Sequence, residues 1–186
     1  LVGFDCGPGN GLLDMFVQDK LNIDFDIDGK IASNGKIHQS YLNRFMKNDY
    51  FKLMYPKSLD RKFFEKDFNL IKNSDLSIED KLATLTEITA ISIHRSLKIL
   101  PHYPKYLLIF GGGQHNKYLI KRIKLMIDCS IDIAKDINLN GDLIESELIA
   151  FLSARCIRNF PITFPSTTGA LKPICGGELF KYSMAN

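Results

Sequence analysis

The longest run of helical periodicity in this chain places apolar side chains on one face of residues 78–99. Ser77, followed by Asp80, is typical of the N-terminal cap of a helix. Pro101 and Pro104 would stop the same helix at its other end. The pattern therefore predicts one long helix with a buried face at the centre of the chain.

Shorter periodic stretches predict further helices. They begin near residue 12 and cover 36–48, 59–65, 115–127 and 142–157. Ser58 suits the N-cap of the helix around 59–65. In the helix over 142–157, we expect an inward face formed by Leu148, Phe151 and Leu152.

Four short apolar segments predict strands, over 1–4, 106–110, 130–134 and 160–164. The continuous apolar run at 106–110 suits a strand that is covered on both faces. Because strands and helices alternate, we predict an α/β domain in which helices cover a sheet.

The composition is that of a globular domain: 186 residues, of which 45% are hydrophobic and 24% are charged. No apolar run approaches the ~18 residues of a membrane span, and the first residues do not resemble a signal peptide, so no membrane association is predicted. Because the sequence does not begin with Met, we expect it to start inside a longer chain.

The net charge of +3 and the isoelectric point of about 8.6 are too mild to predict a nucleic-acid partner. The densest basic cluster is expected to be a solvated helix face, and it comprises Lys117, Lys121, Arg122 and Lys124. Cysteines at 6, 129, 156 and 175 form no CxxC pair, so we assign no metal ligand and expect reduced thiols in the cytoplasm.

Two loops carry the candidate chemistry. The first, residues 4–10, reads Phe-Asp-Cys-Gly-Pro-Gly-Asn and joins a predicted strand to a predicted helix. Its glycines would let backbone amides approach an anion, and Asp5 could hold a metal–phosphate group or accept a proton. The alternative is a simple turn with Asp5 as a cap. Asp14 either orients this loop or caps the turn.

The second loop, residues 111–116, reads Gly-Gly-Gly-Gln-His-Asn and follows the apolar strand at 106–110. Open α/β sheets bind ligands at the carboxyl ends of their strands, where a flat base or ribose could lie on a backbone without side chains. The alternative is a tight strand-to-helix connection, because a glycine triplet alone is a weak signal.

Together, the order and the amino-acid sequences of the two loops resemble those of the anhydro-N-acetylmuramic acid kinases, a bacterial branch of the actin/hexokinase/Hsp70-like ATPases. Other segments are similar to the same family: Asp26–Gly29, Pro56–Ser58 with Arg61 and Phe64, Thr86–Ala90, Glu147 with Ala150 and Phe151, and Thr167–Ala170. The chain departs from the family pattern at Cys6, where Thr is expected, and at Leu59-Asp60, where Thr-Gly is expected.

The resemblance implies a ribonuclease H-like, actin-like ATPase lobe with a mixed sheet flanked by helices. Residues 1–186 would form the second, C-terminal lobe of a two-lobe sugar kinase. The Gly-Thr-Ser-x-Asp-Gly phosphate loop of the first lobe has no counterpart in this sequence. A fragment, a split gene product and a remnant therefore all remain open.

The resemblance also implies a reaction in which ATP, with Mg²⁺, phosphorylates O6 of 1,6-anhydro-N-acetylmuramic acid while water opens the anhydro ring, a step of cell-wall recycling. Asp5 corresponds to the base that activates this water. The nucleotide would lie against Gly7, Gly9, Asn10, Gly111, Gly112, Gly113, His115 and Asn116. The sugar or its phosphate would contact Lys57, Ser58 and Arg61.

Because one lobe cannot close over a nucleotide, we expect little activity from this chain alone and a separately encoded first lobe as its partner. A homodimer is a further expectation from the resemblance. The competing hypotheses are a non-catalytic remnant or interaction module, and another sugar kinase or chaperone-like ATPase of the same superfamily.

Overall fold

The fold is mixed α/β, with four helices before the first strand and a single strand–helix–strand unit after them. The computed structural model describes residues 1–60 and 62–180. Its helices and strands are α1 (Gly11–Leu21), α2 (Gln39–Phe45), α3 (Glu65–Lys72), α4 (Ile78–Lys98), β1 (Tyr106–Ile109), α5 (Lys117–Met126), β2 (Ser130–Ile133), α6 (Ile144–Ile157) and α7 (Pro165–Thr168). Short 3₁₀ turns cover Ile27–Gly29, Ala32–Asn34, Asp49–Lys52, Gly112–His115 and Ala134–Ile137.

Helix α4 forms the centre of the molecule, as its periodicity predicts. Ser77 Oγ accepts a hydrogen bond from the Asp80 amide at 3.1 Å, which confirms the predicted N-cap. Every residue from Leu82 to Ala90 is buried, because α1 and α2 pack on one side of the helix and α5 packs on another. The main apolar core lies between α4 and the first three helices.

Strands β1 and β2 pair in parallel, with Tyr106 opposite Ser130 and Ile109 opposite Ile133. Helix α5 connects them, so the predicted strand–helix–strand order is confirmed. Within the described residues this two-stranded sheet is smaller than the mixed sheet that the resemblance implies. The expectation that β1 is covered on both faces is wrong, because Tyr106 and Phe110 are 45% and 46% exposed.

The two predicted terminal strands do not form. Near the start of the chain, the Gly3 amide donates to Ser166 O, while the Asp5 amide donates to Lys57 O. Single bonds to two different segments cannot build a ladder, so residues 1–4 do not form a strand. Residues 160–164 contribute only one antiparallel bridge, between Thr163 and Ile174.

The helix predicted around 59–65 is displaced along the chain. The Leu59 amide donates to the Asp5 carboxylate, and Asp60 accepts from the Lys62 amide. The backbone is thereby drawn towards the first loop, and the helix begins only at Glu65, without Ser58 as its cap. The helix predicted over 36–48 forms as the shorter α2.

Helix α6 contradicts the expected inward face. No residue of this helix is buried, and Leu148 and Phe151 are 53% and 58% exposed. A periodic pattern shows that a helix has an apolar face, but it does not show whether the covering surface belongs to the same chain. None of the helices described by the structure is both long enough and apolar enough to cross a membrane.

The basic cluster on α5 is only partly a solvated face. Lys121 and Lys124 are exposed, and Lys117 forms an ion pair with Asp28 at 3.1 Å. Arg122 departs from the prediction, because it turns inward to the buried carboxylate of Glu87 on α4.

Candidate functional site

Residues 5–10 of the first loop are called the aspartate loop from here on. Tyr50 Oη donates to the Asp5 carbonyl at 2.5 Å, and the Asp5 amide donates to Lys57 O at 3.0 Å. The Leu59 amide donates to Asp5 Oδ2 at 2.7 Å. These three contacts fix both the backbone of Asp5 and the direction of its exposed carboxylate.

Two glycines of the aspartate loop are required for different physical reasons. A Cβ added to Gly7 would lie 2.5 Å from the Ser92 Cβ of α4, so position 7 requires close approach to the helix. Gly9 has a φ of +58°, and a Cβ there would meet nothing within 4 Å, so position 9 requires the left-handed conformation instead. The Thr89 hydroxyl donates to the Gly9 carbonyl at 2.7 Å.

The aspartate loop leaves polar backbone groups free at the start of α1. Within the described residues, the amides of Gly7, Gly9 and Asn10 donate to no acceptor. Asn10 Oδ1 is buried and has no hydrogen-bond partner in the same part of the chain. Unpaired amides at the N-terminal end of a helix favour an anion, and a buried unpaired oxygen calls for a donor. The loop can therefore receive a phosphorylated ligand.

The second loop, residues 111–116, is called the glycine-triplet loop. The Gly111 amide donates to Gly141 O at 3.1 Å, and a Cβ added to Gly112 or Gly113 would meet nothing within 4 Å. The loop thus presents bare backbone to open space. Asn116 is buried and caps α5, since its Oδ1 accepts from the Leu119 amide at 3.0 Å.

An acidic residue outside both loops holds the polar end of the glycine-triplet loop. Asp142 Oδ1 lies 2.8 Å from His115 Nε2 and accepts from Gln114 Nε2 at 3.3 Å. These contacts hold the pKa of Asp142 below its ordinary value, with the His115 hydrogen bond as the largest cause. The sequence gives no periodic or motif signal for this pairing.

The two loops meet at one cleft, which consists of three adjoining hollows. Asn10 and Gly112 line a hollow of about 240 Å³, and both also line a second hollow of about 450 Å³. Asp5 and Gly7 line a third hollow of about 440 Å³. Asp14 borders all three, so the structure brings the aspartate loop and the glycine-triplet loop to the same place.

Asp14 has a more central position than its sequence context indicates. Its side chain has no hydrogen-bond or ion-pair partner within the described residues, and burial raises the pKa of its carboxyl group. An unpaired carboxylate at the junction of three hollows is unfavourable for stability alone, which makes Asp14 a candidate ligand contact. The residue lies one helical turn after Asn10, and its N–H donates to Asn10 O at 2.9 Å at the start of α1.

Two of the residues predicted to contact the sugar, Lys57 and Ser58, line none of the three hollows. The Lys57 ammonium lies 4.5 Å from the centre of the Tyr50 ring, and burial lowers its pKa. Ser58 is exposed and lines none of the three hollows, while Arg61 lies outside the described residues. Leu59 and Asp60 border the Asp5 hollow instead.

Two departures from the family pattern have clear structural consequences. Asp60 brings an additional carboxylate to the hollow that Asp5 and Asp14 border. Cys6 is half-buried, and burial raises the pKa of its thiol, which favours the neutral form near pH 7.

A third segment, Asp26–Gly29, joins the cleft next to the glycine-triplet loop. It borders the hollow shared by Asn10 and Gly112, and Gly29 packs closely against Asn116. Asp26 serves the fold, because its two oxygens accept from the Ile31 and Ala32 amides at 2.9 Å each. The similarity of this segment to the family did not by itself indicate that it borders the site.

Glycine-containing loops at helix N-termini, beside the carboxyl end of a parallel strand, are typical of α/β proteins that bind phosphorylated ligands. A family model described as anhydro-N-acetylmuramic acid kinase matches residues 1–182. The chain belongs to this family, so the resemblance of its two loops is confirmed.

Individual relatives agree with the family model. The chain is 40% identical to an anhydro-N-acetylmuramic acid kinase of Zymomonas mobilis subsp. mobilis over 96% of its length and 48% of the relative. It is 37% identical to the protein of the same name from Phenylobacterium zucineum, and 36% identical to that of a Ruegeria species, each over 96% of this chain and 47% of the relative. The chain therefore spans about half the length of these relatives.

Proposed function

We propose that this chain provides the second lobe of an ATP-dependent kinase that phosphorylates 1,6-anhydro-N-acetylmuramic acid at O6 with hydrolytic opening of its ring. The observation that supports this proposal most directly is the shared cleft of the aspartate loop and the glycine-triplet loop. The family match supports the same chemistry. A ribonuclease H-like lobe, a cytoplasmic location and a homodimer belong to the proposal as well.

Asp5 is the proposed general base. One of its carboxylate oxygens is held by the Leu59 amide, and no described residue donates to the other. Asp5 would take a proton from water, whose oxygen forms a bond to the anomeric carbon as the bond from that carbon to O6 breaks. O6 then takes the γ-phosphoryl group of ATP, and ADP leaves. Help from a base of this kind typically contributes ~10²–10⁴ in rate.

The remaining rate enhancement would come from positioning and from neutralisation of the phosphates. The free amides of Gly7, Gly9 and Asn10 suit phosphate oxygens, while the bare backbone of Gly111–Gly113 suits the adenine side. His115 and Asn116 would border the nucleotide from the polar end of the glycine-triplet loop.

Mg²⁺ fits the donors that the cleft offers. Mg²⁺ typically uses one or two carboxylates together with phosphate oxygens and water. The described residues contain no group of three or more acidic, His or Cys side chains arranged for a metal ion. Asp14, whose carboxylate is unpaired and borders the same hollow as Asp5, is the residue that would hold the hydrated ion. The ion would neutralise phosphate charge during transfer.

Sugar contacts by Lys57, Ser58 and Arg61 remain a prediction. In the structure, Lys57 is engaged by Tyr50, since its ammonium donates to Tyr50 O at 3.3 Å. A contact between Lys57 and substrate would therefore require the side chain to leave this position.

One observation favours the alternative of a non-catalytic remnant. Asp60 replaces a family glycine and faces the same hollow as Asp5. An added negative charge at that point opposes an anionic ligand. We infer that nucleotide binding discriminates between the two functions.

The test combines binding and turnover. Calorimetric titration of ADP should show binding by this chain and by Asp5→Asn, because the substitution removes the base and leaves the glycine loops intact. Kinase turnover, measured by coupled ADP release, should be very low for the chain alone. It should rise when the amino-terminal half of the Zymomonas mobilis relative is added, and should not rise with Asp5→Asn.

Each outcome has a distinct meaning. Failure of the chain to bind ADP would favour the non-catalytic remnant. Rapid turnover by the isolated chain would contradict the need for a separate first lobe. Turnover on another sugar but not on the anhydro sugar would favour a different kinase of the superfamily.

A further inference from the structure

Helix α4 carries several buried hydroxyl groups, and most of them bond within the helix. Thr84 Oγ1 donates to Asp80 O, Thr86 Oγ1 to Leu82 O and Ser92 Oγ to Ile88 O, at distances of 2.7–2.8 Å. A bond to the carbonyl four residues earlier is the usual arrangement for Thr or Ser inside a helix. The hydroxyls of Thr86 and Ser92 therefore bond only within the helix, whereas Thr84 Oγ1 also accepts from the His38 amide at 3.0 Å.

Thr89 is an exception to this arrangement. Its side chain is buried, with 3% exposure, and its hydroxyl donates to the carbonyl of Gly9, which is 80 residues away in sequence. The carbonyl belongs to the residue of the aspartate loop with a left-handed φ of +58°. The bond therefore stabilises the least common backbone conformation in the loop.

Thr89 also lies on the floor of the cleft. It borders the hollow of about 450 Å³ together with Gly9 and Asn10 of the aspartate loop, and with Gly112 and Gly113 of the glycine-triplet loop. Few other contacts hold this part of the aspartate loop, because the amides of Gly9 and Asn10 are free within the described residues. The Thr89 hydroxyl is consequently the main polar contact between the loop and the body of the protein at Gly9.

We propose that Thr89 is a positioning residue: by binding the Gly9 carbonyl, it holds the free amides of the aspartate loop in the arrangement that receives nucleotide phosphate. The effect on nucleotide affinity rests on the proposed function. The effect on loop order does not, so the two can be measured separately.

The chain offers a matched control on the same helix. Thr89→Val and Thr86→Val make the same change at two buried positions, but only Thr89 donates outside α4. Thr89→Ser keeps the donor and removes a methyl group. A general weakening of the helix would affect both valine variants, whereas the positioning role affects Thr89→Val alone.

The first measurement is the order of the Gly9 and Asn10 amides, by ¹⁵N relaxation without ligand. These amides should be rigid in the unmodified chain, with order parameters of about 0.85, and should fall below about 0.6 in Thr89→Val. Thr86→Val and Thr89→Ser should remain rigid. Unchanged order in Thr89→Val, or equal loss in Thr86→Val, would overturn the proposal.

The second measurement is ADP affinity by titration calorimetry. Loss of one neutral hydrogen bond corresponds to about a fivefold to tenfold weaker affinity for Thr89→Val. Thr89→Ser and Thr86→Val should bind as the unmodified chain does. Unaltered affinity in a Thr89→Val variant with a disordered loop would overturn the link to the ligand. A loop that loosens in a chain that never binds ADP would support the role of Thr89 in the loop and refute the proposed function.

Discussion

The ion pair between Glu87 of α4 and Arg122 of α5 should be a major determinant of stability. Arg122 Nε donates to Glu87 Oε2 at 2.6 Å, and Nη2 donates to Oε1 at 2.7 Å. Glu87 is 5% exposed, and the Arg122 side chain is 24% exposed. The hydrogen bonds to Glu87 are the largest cause of the raised pKa of Arg122, so the guanidinium remains charged.

Arg122→Met would retain much of the aliphatic stem and leave the Glu87 carboxylate buried without its partner. Removal of one member of a buried pair costs about 3–5 kcal/mol. Because a quarter of the Arg122 side chain reaches solvent, the lower end applies, and we expect a loss of about 3 kcal/mol. For a domain of this size, the loss corresponds to a fall in Tm of roughly 6–12 °C.

Urea unfolding, followed by circular dichroism, would measure the change. Lys121→Met, at the neighbouring exposed position of α5, is the control and should alter stability by less than about 0.5 kcal/mol. A Glu87→Leu, Arg122→Met double variant should recover most of the loss, because no buried charge remains. A single variant that loses under about 1 kcal/mol, or a double variant less stable than the single, would refute the reasoning.

Three further predictions concern the cleft and the response to pH. Gly112→Val should change the free energy of unfolding by less than about 0.5 kcal/mol, since a Cβ there meets nothing within 4 Å. The same substitution should weaken ADP binding at least about tenfold in calorimetry, and unchanged affinity would argue against adenine binding on this surface. Burial raises the pKa of Asp14, so Asp14→Asn should be more stable than the unmodified chain at pH 7, and this gain should vanish below pH 3.8; a less stable variant in urea at pH 7 would contradict it. Hydrogen bonds from the Lys36 amide and His38 lower the pKa of Asp80, so the stabilising effect of its carboxylate is present above pH 3.8 and is lost on further acidification. In Asp80→Asn, the urea midpoint should therefore fall less steeply with decreasing pH in this acidic range, and an unchanged decrease would contradict the prediction.

The sequence predicts the interior of the fold better than its edges. Helix α4 and the β1–α5–β2 unit have strong local signals, such as the Ser77 cap and the apolar run at 106–110. Residues 1–4 and 160–164 are equally apolar, but a strand requires a neighbour, and no local pattern specifies one. The exposed face of α6 shows the same limitation for helices.

Some features of the candidate site could likewise be predicted from the sequence, and others could not. Glycines beside a polar residue are visible in sequence, so both loops could be predicted, and the structure brings them to one cleft. The importance of Asp14 and Asp142 for the site could not be predicted from the sequence. The importance of Asp14 depends on hollows formed by distant segments, and that of Asp142 depends on its contact with His115 across 27 positions of sequence.

Helix α4 accounts for the relative position of the two loops better than the sheet does. Each strand has only four residues, and one face of β1 is partly exposed, so the sheet alone gives the glycine-triplet loop little support. On α4, Thr89 holds the aspartate loop directly, while Glu87 holds α5, the helix that begins directly after the glycine-triplet loop. Two residues of one helix are separated by only ~3 Å along its axis. The spacing across the cleft is therefore set by the most deeply buried element of the molecule.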